Sequence, residues 1–318
     1  MRISVALCTY NGSRFLPEQL FSISRQRRLP DEVVICDDCS TDGTMAAIER
    51  FADEAGFPVH IHKNEQNLRA TKNFEKAIGL CQGDVIVTAD QDDVWYPDKL
   101  AKTEQAFAAP DVGLVFSDAD LIDGDGRPRR ERLWTAVRFT PGRLAALQRG
   151  EAFMTVLRRS AVTGATMAFR AGLRDLILPI PEAWIHDDWI ALLVAADDRV
   201  VAIEEPLIQY RLHDDNQVGV GDGTPTVQVA VQGIFRDSFL IRVDRLMEAR
   251  EALARGRPAR LDRQAQIDGQ IAHFRARARL PASRLARIPG VADELIRLRY
   301  TRYSGTTMAF LRDLASSS

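Results

Sequence analysis

Carboxylates gather at the ends of two short apolar runs, in a spacing that suits a hard cation. The run Glu32–Asp38 closes on Asp37-Asp38, and the run Asp84–Asp90 opens into Asp90-Gln91-Asp92-Asp93. Residues two apart on extended chain point the same way, so Asp90 and Asp92 can turn both carboxylates toward one point. Oxygen-only donors of this kind suit Mg2+ or Mn2+, which take few protein carboxylates and leave positions for phosphate oxygens. A bare Asp-x-Asp also serves as a solvated turn capping the next helix, here the one beginning near Pro97. Acids at two strand ends together favour the cation.

These acids are positioned by an alternation of strands and helices. Strands are predicted at Ile3–Thr9, Glu32–Asp38, Val59–Lys63, Asp84–Asp90 and Val112–Ser117. Helical patterns occupy Leu16–Gln26, the stretch from the turn at Ser40–Thr44 to Ala55, Ala70–Cys81 and Pro97–Phe107. Such alternation implies βαβ units and an α/β fold with a mostly parallel sheet. Ligands bind beyond the carboxyl ends of such strands. The Thr9-Tyr10-Asn11-Gly12 loop, Asp37-Asp38 and Asp90–Asp93 therefore share one rim. After a hairpin signal at Asp123-Gly124-Asp125-Gly126 the pattern weakens, with a strand at Ala161–Phe169, a helix at His186–Ala196 and a strand at Arg199–Ile203. Asp214–Thr226 reads as a linker. Beyond it Val227, Val231, Ile234, Phe235, Phe239, Val243, Leu246 and Leu253 recur at helical spacing, and further helices are expected around 267–279 and 292–303. The expected division is an α/β unit over 1–220 and a helical unit over 227–318.

With 46% hydrophobic and 27% charged residues, the 318-residue chain has a globular composition. No run approaches the roughly 18 apolar residues of a membrane span, and Tyr10-Asn11-Gly12 stand where a signal-peptide cleavage site would need small residues. A cytoplasmic location is expected. Four cysteines clustered in the first quarter are too few for a disulfide framework, and Cys36-Asp37-Asp38-Cys39 lacks the second Cys/His pair of a structural zinc site. The net charge of -2 hides an asymmetry. Between Arg236 and Arg302 there are 16 arginines and 8 acidic residues, an excess of eight positive charges that leaves ten negative charges on the remainder. The arginines can solvate helix faces, or bring the tail to an anionic surface.

Seven blocks occur in order: SVALCTYNGSRFLPEQL, DEVVICDDCSTDGT, NLRATKNFEKAI, GDVIVTADQDDVWYPDKL, TGATMAF, HDDWIAL and YRLHDDNQVG. Over residues 2–220 the chain closely resembles family 2 glycosyltransferases, specifically a bacterial rhamnosyltransferase-like branch. The resemblance implies a GT-A fold, a nucleotide-sugar donor (dTDP- or UDP-sugar), a divalent metal and inversion at the anomeric carbon. It implies that Thr9, Tyr10 and Asn11 with Asp37 or Asp38 frame the nucleoside, where a carboxylate can accept the N3–H of uracil or thymine. Gln91 and Asp90 belong to the same donor region, and Lys72 matches a basic position near the diphosphate. Asp90 and Asp92 match the metal motif, and His213 matches a position that reaches metal or diphosphate. Arg69 departs from the pattern, which has glycine there. On the acceptor side the resemblance makes Asp187 the general base with Asp188 in reserve, and Gly164, Ala165, Thr166 and Trp189 the acceptor pocket. An acceptor hydroxyl is a poor nucleophile until a carboxylate takes its proton. Both acids can also simply cap the helix that follows, and His213 can be a structural histidine.

Two other classes fit parts of the pattern. Asp90-Gln91-Asp92-Asp93-Val94 also matches the nucleophile motif of haloacid-dehalogenase-like phosphatases, but that motif closes a first strand and needs a later lysine, and none follows Lys102. A catalytically silent nucleotide-sugar-binding protein is the other, though retention of both Asp92 and Asp187 argues against it. The acceptor expected from the resemblance is a saccharide, free or polyprenyl-linked, in cell-surface polysaccharide synthesis. The Arg-rich tail can rest on a membrane surface as a peripheral contact, pack on the catalytic domain or form a dimer contact. Nucleic acid is not an expected partner.

Overall fold

The computed structural model describes residues 1–213, 235–255, 261–304 and 308–315. The expected linker at Asp214–Thr226 and the helical positions Val227, Val231 and Ile234 lie outside the described residues. The chain divides into two compact units, one of residues 1–152 and 161–220, the other of 153–160 and 221–318.

The first unit is built on strands β1 (Ile3–Thr9), β2 (Glu32–Asp37), β3 (Val59–Lys63), β4 (Val85–Ala89), β5 (Val94–Trp95), β6 (Val112–Asp123), β7 (Pro128–Arg132), β8 (Met167–Arg170) and β9 (Arg199–Leu212). Its helices are α1 (Leu16–Ser24), α2 (Thr44–Glu54), α3 (Arg69–Leu80), α4 (Lys99–Ala106), α5 (Leu133–Ala136), α6 (Pro141–Gln148), α8 (Arg174–Ile177) and α9 (His186–Val194), with α7 (Ala152–Arg158) running into the second unit. One sheet has the order β3-β2-β1-β4-β8-β6-β9-β5, with β7 paired to β6. Every residue of β1 and β4 is buried, as central strands covered on both faces require.

The expectation of a mostly parallel sheet holds for one half. β3, β2, β1 and β4 pair in parallel. β8 is antiparallel to both β4 and β6, and β5 is antiparallel to β9. β8 follows the helices α5–α7 and the short turn Gly164–Thr166, and enters the sheet between β4 and β6 against the direction of both. β6 and β9 are also much longer than their apolar patterns. They pair in parallel beyond Ser117 through irregular register at Asp118 and Asp120, so polar residues interrupt the hydrophobic signal without ending the strands.

In the second unit α10 (Phe235–Ala254) and α11 (Leu261–Ala278) pack as a pair, followed by α12 (Arg284–Ile296), α13 (Arg299–Tyr303) and α14 (Ala309–Ala315). Buried Val243, Leu246, Leu253, Ile267 and Phe274 supply its apolar core. A buried polar network lies within it. His273 meets Glu294 Oε2 through Nδ1 (2.5 Å) and Ser304 Oγ through Nε2 (2.9 Å). Arg277 grips both oxygens of Asp313 at 2.7 and 2.8 Å, and the Tyr300 hydroxyl donates to the same carboxylate at 2.6 Å. Each charged member is partnered, as burial demands. Among the described residues no helix is long and apolar enough to cross a membrane.

Candidate active site

The rim of the parallel half is stitched by side chains from each strand end. Asp37 accepts from the Thr9 hydroxyl (2.9 Å), the Ser40 amide (2.9 Å) and the Ser40 hydroxyl (2.5 Å), so its buried carboxylate fixes the β1 and β2 ends. Asn11, at φ 47°, donates its amide to Ser40 Oγ and accepts the Thr41 amide through Oδ1, both at 2.9 Å. Gln91 pairs its side-chain amide with the backbone of Tyr10, accepting at 2.8 Å and donating at 3.0 Å. That ties the β1 loop to the β4 turn. Gly12 makes the approach possible, because a Cβ there would lie 2.2 Å from Gln91 Oε1. The Tyr10 side chain is left exposed on this rim.

Asp38 holds the loop before α3. It accepts from Asn64 Nδ2 (2.7 Å), the Leu68 amide (2.7 Å) and the Arg69 amide (2.9 Å). Arg69 sits at φ 64°, the left-handed region in which glycine is at ease. The loop thus takes the turn a glycine would take, with the Arg69 amide anchored and the local strain carried by those bonds. Lys72, expected near a diphosphate, has its ammonium on Glu75 Oε2 (2.8 Å) and the Ile180 carbonyl (2.7 Å).

The β4 turn carries the densest charge. Asp92 Oδ2 lies 2.8 Å from His213 Nε2, bringing together two residues 121 positions apart. His213 packs on Phe15 with ring centroids 4.7 Å apart, and the Arg211 guanidinium lies 4.9 Å from the same ring. Arg211 also donates to the Asp92 carbonyl (2.8 Å) and Glu18 Oε2 (2.5 Å), and its amide donates to Asp93 Oδ1 (3.1 Å). Arg211 and Phe15 went unassigned in the sequence. The signal was there, since Arg211 and His213 are two apart on a strand and share a face. Below the turn, Lys99 is 1% exposed and donates to the Ala165 carbonyl at 3.1 Å. Burial pulls its ammonium down to about 7 against the pull of Asp93 and Asp90.

Asp90 has its carboxyl pushed up to about 8, first by burial and then by the charges of Asp92 and Asp187. Asp187 of α9 is tied to β4 itself through Gly164, which donates to its carboxylate and accepts from Thr88.

Asp187 and Asp188 occupy the first turn of α9, where the helix dipole favours carboxylates. The Gly164 amide donates to Asp187 Oδ2 (2.9 Å) and the Asp188 amide to Asp187 Oδ1 (2.7 Å). Gly164 is in turn held by the Thr88 hydroxyl on its carbonyl (2.5 Å). Gly164, Ala165 and Thr166 are all buried, so they underpin Asp187 and present no side chain outward. Trp189 is a correction. It is 2% exposed, donates its indole N–H to the Ile177 carbonyl (2.7 Å) and meets Trp184 edge-on, so no face is left for a sugar. Trp95 and Trp184 are likewise buried.

His186 is buried and stacked on Phe74 at 4.0 Å, and both ring nitrogens lack a hydrogen-bond partner among the described residues. Burial lowers its imidazole to about 4. The folded state therefore favours the neutral ring. Stability from this source is full above the free-imidazole value near 6.5 and is lost as pH falls toward 4, by about 3 kcal/mol at pH 4. Chemical denaturation of the parent and His186→Gln across this window is expected to show a flatter pH dependence in the variant. Parallel curves would remove His186 as the cause.

Among the described residues no three His, Cys, Asp or Glu side chains are grouped to enclose a metal ion by themselves. The donors nevertheless fit an open site. Asp92 and His213 meet, Asp90 is crowded by like charge, and Asp93 Oδ2 is buried without a hydrogen-bond partner. A Mg2+ or Mn2+ ion relieves such crowding and takes its remaining ligands from phosphate oxygens.

The comparisons give the family of this fold and site. Residues 4–175 match the family model described as glycosyl transferase family 2. The chain belongs to that family and is a glycosyltransferase. It is 37% identical over 219 residues to the dTDP-rhamnosyl transferase RfbG of Shigella flexneri, covering 67% of this chain and 73% of that protein. Its fold is similar to the crystal structure of S. aureus TarS 1-349 in complex with UDP-GlcNAc, at a TM-score of 0.59 and 16% identity over 99% of this chain and 88% of that one. It is also similar to the mannosyltransferase PcManGT of Pyrobaculum calidifontis in complex with GDP-Man and Mn2+, at 0.50 and 21% identity over 99% and 86%. These likenesses identify the GT-A fold.

Proposed function

We propose that the protein is an inverting, metal-dependent glycosyltransferase that moves a sugar, with L-rhamnose the first candidate, from a nucleoside-diphosphate donor to a saccharide hydroxyl. The observation carrying this is geometric: Asp92 meets His213 at the β4 turn (2.8 Å), and Asp187 is held by the Gly164 amide (2.9 Å), whose own carbonyl accepts from Thr88 of β4 (2.5 Å). Asp92 and His213, with Asp90 beside them, would hold Mg2+ or Mn2+. The bound ion supplies Lewis-acid stabilisation of the charge that grows on the departing diphosphate. Asp187 takes the acceptor proton, its other lone pairs already steered by the Gly164 and Asp188 amides. The hydroxyl oxygen then attacks from the face opposite the leaving group, and a single displacement inverts the anomeric carbon. Tyr10, Asn11 and Gln91 face the donor, while Asp37 and Asp38 act on it through the loops they fix. Rhamnose and a dTDP donor are suggested by the Shigella flexneri relative. A donor β-linked to its diphosphate would give an α-linked product. The proposed role is in polysaccharide synthesis, where a lipid-carried acceptor would bring the chain to a membrane surface from the cytoplasmic side.

Release of nucleoside diphosphate from a panel of nucleotide sugars, with and without Mn2+ and saccharide acceptor, tests this reading. Acceptor-stimulated release is the expected result. Donor binding without release would instead mark a silent sugar-nucleotide-binding protein. A finer test uses Gly164→Ala. The added Cβ would lie 2.7 Å from His186 Nε2, within reach of Asp187 Oδ2, so the loop must shift. Turnover is expected to fall roughly tenfold or more while donor affinity stays close to parent, as expected when a reacting group is misplaced.

A further inference from the structure

Helix α12 is inside out. Its inward side carries Arg287 and Glu294 beside buried Val291, and Arg287 donates to the Pro281 carbonyl (2.5 Å) and the Asp313 carbonyl (2.8 Å). Glu294 meets His273 (2.5 Å) and accepts from Arg299 (2.9 Å). At 3.6 residues per turn, Leu285, Ile288, Ala292, Leu295 and Ile296 fall in one sector about 100° wide on the opposite side. Leu285, Ile288, Leu295 and Ile296, with Leu298 just beyond the helix, are between 37% and 80% exposed. A surface helix normally turns its apolar stripe to the core. Here the core side is taken by the His273 and Asp313 networks, and the stripe faces out.

Charge decides what the stripe meets. Exposed Arg284 borders the stripe, while Arg297, just past the helix, is paired with Asp293. The chain from Arg236 to Arg302 carries 16 arginines against 8 acidic residues. A second copy docking here would bring two segments of the same net positive charge together, which is unfavourable. An anionic bilayer satisfies both features, since aliphatic side chains enter the headgroup boundary while guanidinium groups meet phosphates bidentately.

We propose that the outward face of α12 is the surface on which this protein rests on anionic lipid. The inference deepens the reading of a lipid-carried acceptor, and its test needs no transfer reaction.

The full chain is floated with vesicles of phosphatidylcholine plus phosphatidylglycerol, and with phosphatidylcholine alone, at low and high salt. Co-flotation with the anionic vesicles, weakened by salt, is expected. Ile288→Ser with Ile296→Ser is expected to lower that partition about tenfold or more, with an unchanged circular-dichroism melt because both side chains are exposed. Nucleoside diphosphate release with a water-soluble acceptor is expected at the parent rate, so loss of vesicle binding and failure of the transferase reading register separately. The proposal is overturned if the parent does not float at low salt, or if the double variant floats equally well. It is also overturned if light scattering shows a dimer that the substitutions dissociate while neither protein floats.

Discussion

Asp187→Asn is expected to lower turnover at least ~10²-fold, equivalent to about 2.7 kcal/mol of barrier, with donor affinity unchanged. Asparagine keeps the size of the side chain and one acceptor oxygen, so the Gly164 amide can still be met. What it cannot do is take a proton. The effect therefore falls on turnover and kcat/KM together, the signature of an interaction made only in the transition state. Asp188→Asn is the control. Its amide orients Asp187 from the backbone, which the substitution leaves in place. A large loss in Asp188→Asn with near-parent turnover in Asp187→Asn would transfer the role to the neighbouring acid.

The second large effect belongs to Asp92. In Asp92→Ala the 2.8 Å contact with His213 Nε2 is lost, and with it one of the anionic oxygens proposed to hold the ion. Mg2+ and Mn2+ need anionic oxygen and tolerate the loss of one from a sparse protein set poorly. The Mn2+-dependent part of nucleoside diphosphate binding, read by calorimetry with and without the ion, is expected to disappear. Metal-independent contacts through the Tyr10–Asn11 loop should leave a weak residual signal. Equal Mn2+ enhancement in parent and variant would show that the ion is held elsewhere.

Much of this was legible before any coordinates. β1 and β3 lie on the residues their apolar runs marked, and β2, β4 and the first four helices differ only at their ends. Buried parallel strands with helical crossovers write the strongest local pattern a sequence has. The far half was harder to read for a physical reason. β6 and β9 extend through Asp118, Asp120, Glu204 and Glu205, where pairing between strands sustains them against their own composition. The site divides along the same line. Asp90, Asp92 and Asp187 announce themselves as acids at element ends, but the contact of His213 with Asp92 spans 121 residues and leaves no local trace. Trp189 misled because an aromatic beside an acid looks like a sugar platform, whereas its position one turn into α9 buries it. Arg69 shows the reverse case: a residue foreign to its pattern adopts the left-handed turn that the pattern's glycine implies.

The most direct measurement is a crystal structure of the protein soaked with Mn2+ and a nucleoside diphosphate sugar. Anomalous density for one ion bonded to Asp92 and His213 and to diphosphate oxygens is expected, with the Asp187 carboxylate facing the anomeric carbon from the side away from the diphosphate. An ion bound without Asp92, or a sugar whose anomeric carbon lies out of reach of Asp187, would contradict the proposed chemistry.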